Sequence, residues 1–153
     1  MRVLFVCTGN TCRSPMAEGL FNRLAASDDL PHVAASAGLS AFEGAPATEE
    51  AARAVRERAG VDLSDHRAHR VERSDVDEAD LVVAMTAEHG RRLVQRYPEA
   101  AGKIRTLRTD RDVEDPYGGD AASYDASAGE IEEGVRALLA ELERSDGRSG
   151  EGA

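Results

Sequence analysis

The sequence has few aromatic residues and few cysteines, and both shortages exclude classes of protein. Phe, Trp and Tyr make up 4% of the 153 residues, Trp is absent, and the two cysteines, Cys7 and Cys12, lie close together near the N-terminus. Two cysteines cannot form a disulfide framework or a four-ligand metal site, and free thiols suit a reducing compartment. We therefore expect a cytoplasmic protein that holds no metal.

Basic residues are also scarce, and Lys103 is the only lysine. The chain has 29 acidic and 19 basic side chains, which gives a formal net charge of −10. Nucleic acid and anionic lipid would be repelled, so we expect neither nucleic acid nor a membrane as a partner. Many carboxylates with almost no lysine are typical of chains adapted to high salt, and equally of ordinary acidic proteins from GC-rich genomes.

Long hydrophobic runs are missing as well. No apolar stretch approaches the length of a membrane span, and the N-terminus lacks the basic region and cleavage site of a signal peptide. The length suits a single domain, which we place at residues 1–144. The segment 145–153 is rich in Gly, Ser and Asp, and we expect it to be disordered.

The sequence does contain a regular alternation of strand and helix patterns. Apolar runs predict strands at 3–6, 33–37, 81–85 and 104–107. Amphipathic segments with cap signals predict helices at 14–26, 48–59, 86–97 and 124–142. This order predicts an α/β fold: a single-domain, doubly wound, parallel four-stranded sheet with helices on both faces. In such folds functional sites lie at the carboxyl ends of the strands.

The first strand ends abruptly in a segment that contains the groups a phosphate site needs. This segment is Cys7-Thr8-Gly9-Asn10-Thr11-Cys12-Arg13-Ser14. Ser14 followed by Pro15 predicts an N-cap and the first residue of a helix, so the segment is a strand-to-helix turn. Its backbone N–H groups would form a cradle for a phosphoryl group at the positive end of the helix dipole. Arg13 can hold two phosphoryl oxygens, and Ser14 can donate its hydroxyl to a Cys7 thiolate, which would be the nucleophile.

The stretch VLFVCTGNTCRSPMAE resembles the start of the low-molecular-weight protein phosphatases, a family of tyrosine phosphatases, phosphoarginine phosphatases and thiol-dependent arsenate reductases. The resemblance covers nearly the whole chain and continues in the family's order at 36–38, 65–68, 79–86 and 115–119. It implies a phosphatase that acts on phosphotyrosine or phosphoarginine in a protein or peptide through a phosphocysteine, without a cofactor. We expect it to be a monomer.

Asp115 lies in the one long irregular loop, residues 109–123. By itself, Asp115-Pro116 is a common turn signal among several solvated carboxylates. The resemblance implies that Asp115 is the general acid, which protonates the leaving group and then activates water as a base.

The resemblance also assigns roles to further residues. It places seven of them at the substrate: Thr8, Gly9, Asn10, Thr11, Cys12, Ser14 and Tyr117. It links Ser36 and His66 with Asn10 in a hydrogen-bond network that holds the loop, whereas His69 has no such match and is interpreted as a surface residue. From the residues alone, Asn10 is equally a turn residue that tolerates the left-handed conformation, and His66 a histidine with a backbone partner. Cys12 is either a reversible disulfide partner of Cys7 or a small buried filler.

The substrate remains open between two phosphorylated side chains. Thr11 stands where the family's tyrosine phosphatases carry a larger aliphatic residue, and it matches the phosphoarginine phosphatases. Tyr117 and the two glycines after it resemble the same branch, in which one aromatic walls the cleft, but a tyrosine ring can also stack on phosphotyrosine. The alternative is an arsenate reductase that uses an external small thiol, because the chain has no downstream cysteines for a relay. A binding module without turnover would not need Cys7, Arg13 and Asp115 together.

Overall fold

The computed structural model describes the backbone of residues 1–151 and the side chains of residues 1–145. Its described residues contain four strands: β1 (Arg2–Cys7), β2 (Val33–Gly38), β3 (Leu81–Ala84) and β4 (Ile104–Thr106). They form one parallel sheet in the order β2-β1-β3-β4. The predicted doubly wound parallel sheet is therefore confirmed, with strand bounds within one residue of those predicted.

Helices cover both faces of this sheet. Within the described residues the α-helices are α1 (Arg13–Ser27), α2 (Glu49–Ala59), α3 (Arg73–Glu78), α4 (Ala87–Arg96) and α5 (Ala121–Glu151). A 3-10 helix spans Pro98–Lys103. One face of the sheet packs against α1, α2 and α5, and the other packs against α3 and α4. This arrangement confirms the predicted layers.

The central strand β1 is buried on both faces. Phe5 and Cys7 point into the core formed with α1, α2 and α5, whereas Leu4 and Val6 point into the core on the opposite face. Because side chains alternate along a strand, an uninterrupted apolar run is expected for a strand covered on both sides. This strand carries Cys7 to the carboxyl edge of the sheet.

The predicted start of the first helix is wrong. We expected Ser14 at the N-cap and Pro15 at the first helical position, but α1 begins at Arg13, and Cys12 occupies the N-cap position without a side-chain cap. The Ser14 hydroxyl instead lies 2.9 Å from Cys7 Sγ. Pro15, the third residue of α1, is tolerated because backbone N–H groups of the first turn have no helical acceptor.

The helix α3 and the 3-10 helix were not predicted. Val76 is the one buried residue of the six in α3, so this helix has no apolar periodicity to detect. The helix α5 is described to Glu151, beyond the predicted domain boundary at residue 144. Residues 152–153 of the predicted tail lie outside the described residues, so the disorder of segment 145–153 and that boundary remain predictions. No helix in the described part of the chain is long and apolar enough to cross a membrane.

Candidate active site

The segment from Cys7 to Arg13, called the phosphate loop below, curls over the carboxyl edge of the sheet. Its first residue pairs with Gly38 at the end of β2, as the position of the Ser36-Ala37-Gly38 stretch predicted. A Cβ atom on Gly38 would lie 2.6 Å from the carbonyl oxygen of Thr8, so only glycine allows this close approach. Asn10 has a φ of 57°, which turns the loop back on itself.

Cys7 lies buried at the floor of the phosphate loop. Ser14 Oγ is 2.9 Å from Cys7 Sγ, and the backbone N–H of Asn10 donates to the same sulfur at 3.3 Å. Both groups can stabilise a thiolate by hydrogen bonding. Ser14 was predicted to contact substrate, but it lies beneath the loop and outside the cleft wall.

The predicted network around Asn10 is present. The fully buried Asn10 donates from Nδ2 to Ser14 Oγ at 2.8 Å and to Ser36 Oγ at 2.9 Å. His66 Nε2 lies 2.8 Å from the Asn10 carbonyl oxygen, so it donates to that oxygen. Ser36 in turn donates to Glu18 Oε1 at 2.6 Å. These contacts tie the loop to α1, to β2 and to the segment that precedes α3.

Arg13 joins the phosphate loop to the segment 107–120, called the acid loop below. Its Nη1 donates to the carbonyl of buried Val113 at 3.0 Å, and its Nη2 lies 3.6 Å from Asp115 Oδ2. The N–H of Val113 donates to the carbonyl of Met85, the residue after β3, which fixes the acid loop beside the sheet edge. The Asp115 side chain is 53% exposed and is therefore accessible from the cleft.

The two loops enclose a cleft of about 450 Å³. Nine predicted residues line it: Cys7, Thr8, Gly9, Asn10, Thr11, Cys12, Arg13, Asp115 and Tyr117. Phe42, from the loop between β2 and α2, lines the same cleft, and the rings of Phe42 and Tyr117 are both largely exposed. The expectation of one aromatic wall is therefore wrong, because the loop between β2 and α2 brings a second ring to the cleft. The only available signal was an unexplained phenylalanine among small residues.

Cys12 connects the phosphate loop to two helices. Its Sγ lies 3.6 Å from Thr48 Oγ1 at the N-cap of α2 and 3.5 Å from the hydroxyl of Tyr124 on α5. Burial, together with the hydrogen bond to Cys12, raises the pKa of Tyr124 to about 12. Both cysteines are free, so a disulfide between Cys7 and Cys12 remains a prediction.

Two histidines near the loop have roles that the sequence did not reveal. His69 was interpreted as a surface residue, but its backbone N–H donates to Asn10 Oδ1 at 2.9 Å. Although burial opposes it, the carboxylates of Asp75 and Glu43 raise the pKa of His69. The second histidine, His89, lies on α4, and its Nε2 is 2.8 Å from Thr8 Oγ1. Burial first, and then the charges of Arg13 and Arg92, lower the pKa of His89 to about 4.

Outside the cleft, three side chains have the atoms of a metal site. His69, Glu72 and Asp75 each offer one potential ligand atom, and these atoms lie within 4.8 Å of one another. Asp75 already accepts hydrogen bonds from the backbone N–H of Glu72 and from the His69 ring, so the cluster is explained by the cap of α3.

Comparisons with known proteins agree with this geometry. Residues 2–148 match the family model described as low molecular weight phosphotyrosine protein phosphatase. The protein-arginine-phosphatase of Geobacillus stearothermophilus is 40% identical, over 93% of this chain and 96% of that one. A solved low molecular weight protein tyrosine phosphatase from T. tengcongensis superposes with a TM-score of 0.90 at 47% identity, covering 92% of this chain and 99% of that one. A mutant of the YwlE arginine phosphatase with a phosphorylated active-site serine superposes with a TM-score of 0.89 at 36% identity, covering 94% and 96%.

Proposed function

Because this chain belongs to the low molecular weight phosphotyrosine protein phosphatase family, we propose that Cys7, Arg13 and Asp115 catalyse the hydrolysis of phosphotyrosine or phosphoarginine in proteins. The observation that carries the proposal is the arrangement around the Cys7 sulfur. Two hydrogen-bond donors contact it, and the Arg13–Asp115 pair lies at the same cleft. Arsenate reduction is not favoured, because the relatives named above are phosphatases.

In the first step the Cys7 thiolate attacks phosphorus, so that a sulfur–phosphorus bond forms while the bond to the leaving oxygen or nitrogen breaks. The Arg13 guanidinium and the N–H groups of the phosphate loop hold the equatorial oxygens, where negative charge lies in the transition state. Asp115 donates its proton to the leaving atom. The product of this step is a phosphocysteine.

In the second step water attacks the phosphocysteine, and Asp115 accepts a proton from that water. The sulfur–phosphorus bond breaks, inorganic phosphate leaves, and the Cys7 thiolate is restored. The Ser14 hydroxyl, 2.9 Å from the sulfur, stabilises this leaving thiolate. Both steps use only groups of the chain and water, so the reaction as proposed needs no cofactor.

The choice between the two substrates depends on the wall of the cleft. Thr11 favours phosphoarginine, since its hydroxyl can accept a hydrogen bond from a guanidinium. Phe42 and Tyr117 offer two exposed rings that can stack on a phosphotyrosine ring or on a planar guanidinium.

The deciding experiment measures phosphate release from matched phosphotyrosyl and phosphoarginyl peptides, with a Cys7→Ser control that should be inactive. A tenfold preference for phosphoarginine corresponds to about 1.4 kcal/mol of transition-state stabilisation, and Thr11→Ile should then reduce it. A tenfold preference for phosphotyrosine would contradict the role of Thr11. Absence of turnover on both peptides would contradict the proposed function.

We further propose the setting in which this enzyme works. Free thiols at the site suit the reducing cytoplasm. The net charge of −10 with a single lysine supports adaptation to high salt. We propose that the protein acts as a monomer on a phosphorylated protein.

A further inference from the structure

Thr8 directly follows the nucleophile, and its position depends on two contacts. The Ser40 N–H donates to the Thr8 carbonyl at 2.9 Å, and His89 Nε2 lies 2.8 Å from Thr8 Oγ1. Thr8 itself is exposed at the cleft, so little packing holds its side chain. The histidine contact therefore fixes the start of the phosphate loop from the side of α4.

The His89 side chain is buried, but its hydrogen bonding is incomplete. The residue is 5% exposed, and its Nδ1 has no hydrogen-bond partner among the residues that the structure describes. A buried polar atom without a partner destabilises a fold, and such atoms recur where function requires them. Leucine at this position would avoid that penalty. The contact with Thr8 is the one polar side-chain contact found for the ring in the described part of the chain.

The contacts of the His89 ring favour one of its two neutral tautomers. If Nε2 carries the hydrogen, it donates to Thr8 Oγ1, and the unpartnered Nδ1 is a lone pair rather than an N–H group. A buried donor without a partner is the rarer arrangement in proteins. Thr8 then accepts from His89, and its own hydroxyl hydrogen is free to point to the cleft.

The charges around the ring favour the neutral form. Arg13 from α1 and Arg92 from α4 face it, and Asp112 and Asp115 from the acid loop oppose them. A second proton on the His89 ring would make it an imidazolium, and so place another buried cation beside Arg13. The neutral ring leaves Arg13 as the cation that binds the phosphoryl oxygens.

We propose that His89 is a positioning residue of the phosphatase reaction. As a neutral imidazole it donates from Nε2 to Thr8, and so orients the Thr8 hydroxyl and the adjoining loop N–H groups toward the phosphoryl group. This inference rests on the proposed function, because the benefit of the orientation is realised in the transition state. Preorganised donors of this kind supply a large part of catalysis at oxyanion sites.

The test is a double-mutant cycle with His89→Leu and Thr8→Val, together with His89→Gln, whose amide can also donate. We expect each of the first two variants to lower kcat about tenfold, to change KM less than threefold, and to melt no lower than the wild type. The double variant should be no worse than either single one, because both remove the same contact. His89→Gln should recover most of the activity. The control is Arg91→Gln on the exposed face of α4, which should behave as wild type.

Several outcomes would overturn the inference. These are additive losses in the cycle, full activity in Thr8→Val, or a lower melting temperature with unchanged kcat. A second measurement does not depend on turnover: nitrogen NMR of the wild-type histidines at pH 7 should show His89 as the neutral Nε2–H tautomer. An Nδ1–H tautomer or an imidazolium would refute the proposed orientation. If the wild type hydrolyses neither peptide, the proposed function fails, while the tautomer still tests the contact.

Discussion

At the scale of single residues, the acid loop carries adjacent carboxylates in different surroundings. Asp115 lies 3.6 Å from Arg13 Nη2 and accepts the N–H of Tyr117 on its other oxygen at 3.1 Å. Glu114, its neighbour in sequence, is exposed and does not line the cleft. The chain thus provides its own control for the role of Asp115.

We expect Asp115→Asn to lower kcat about 10²–10⁴-fold, because the amide cannot donate a proton to the leaving atom. The matched variant Glu114→Gln removes the same charge one residue away and should stay within twofold of the wild type. Steady-state kinetics on the preferred phosphopeptide measure both. Equal losses in the two variants would mean that the loop contributes only its charge.

Two of the histidines near the phosphate loop, His89 and His69, predict opposite pH dependences of stability. The folded pKa of His89, about 4, lies below its unfolded value near 6.5, so the unfolded chain binds more protons between these values. Stability should therefore fall as pH drops from 6.5 to 4, by at most about 3 kcal/mol. His69 has a raised pKa, so its contribution is complete below 6.5 and is lost as pH rises through the folded value.

Urea unfolding at several pH values tests these signs. His89→Leu should flatten the loss on the acid side, and His69→Gln should flatten the loss above pH 6.5. The free energy of unfolding of each variant is compared with that of the wild type at the same pH, so that the contribution of the titrating carboxylates cancels. If the free energy of unfolding of His89→Leu fell between pH 6.5 and 4 as much as that of the wild type, the buried ring would not be the group responsible.

The residues that the sequence could identify are those whose chemistry is local. Cys7 and Arg13 lie in one turn, so residue type and spacing were enough to indicate a phosphate site there. Asp115 was indicated only by the family resemblance, because an Asp-Pro pair by itself is a common turn signal. His89 could not be found this way, because its partner Thr8 is 81 positions distant and a lone histidine in a helix is unremarkable in sequence. Phe42 was missed because only the folded loop brings its ring to the cleft.

At the scale of elements, the close packing of α5 against the sheet depends on one glycine. A Cβ on buried Gly134 would lie 2.6 Å from Cγ of Leu107, a buried residue just after β4. Gly129, one and a half turns earlier in α5, has more room, with Arg58 Nη2 as its nearest neighbour at 3.5 Å. The same helix therefore offers a tight and an open position for the same substitution.

We expect Gly134→Ala to destabilise the protein by about 1 kcal/mol, because the cost of overpacking, about 1–3 kcal/mol, exceeds the gain in helix propensity. Gly129→Ala should stabilise it by about 0.5–1 kcal/mol, since 3.5 Å is an ordinary contact distance and alanine favours the helix. Urea unfolding measures both. A stabilised Gly134→Ala variant would contradict the described packing of α5.

Elements were predictable from sequence where burial is periodic or continuous. β1 was placed within one residue because four consecutive apolar side chains fill cores on both faces. The start of α1 was misplaced because the Ser14 hydroxyl contacts the Cys7 sulfur, a tertiary contact that overrides the usual cap preference. The helix α3 was missed because it has one buried residue and because Glu72, at its N-cap position, is not among the usual N-cap residues.

At the scale of the whole molecule, the charge of −10 opposes the compact state. Exposed ion pairs such as Arg73–Glu99 and Arg91–Glu88 oppose this effect, but each contributes little because water screens the attraction between exposed charges. Salt weakens both the repulsion and the pairs, since the Debye length falls from about 10 Å at 0.1 M to about 3 Å at 1 M. The sign of the salt effect therefore reveals which of them dominates.

We expect the melting temperature to rise between 0.1 and 2 M KCl, because the repulsion among excess carboxylates exceeds the contribution of exposed pairs. Thermal unfolding followed by circular dichroism measures the change. A sucrose series separates charge screening from exclusion of solutes from the surface. A melting temperature that falls with KCl would indicate an ordinary acidic protein rather than one adapted to high salt.

The contact between Cys12 and Tyr124 joins positions 112 residues apart, and it has a consequence for the newborn chain. Cys7 is synthesised before the groups that shape its loop, which come from β2, α4, the acid loop and finally α5. At about 5–20 residues per second, Tyr124 is added on the order of ten seconds after Cys12. Throughout that interval the Cys7 thiol lacks part of its cradle, so the ribosome-bound chain should have no phosphatase activity until α5 has emerged.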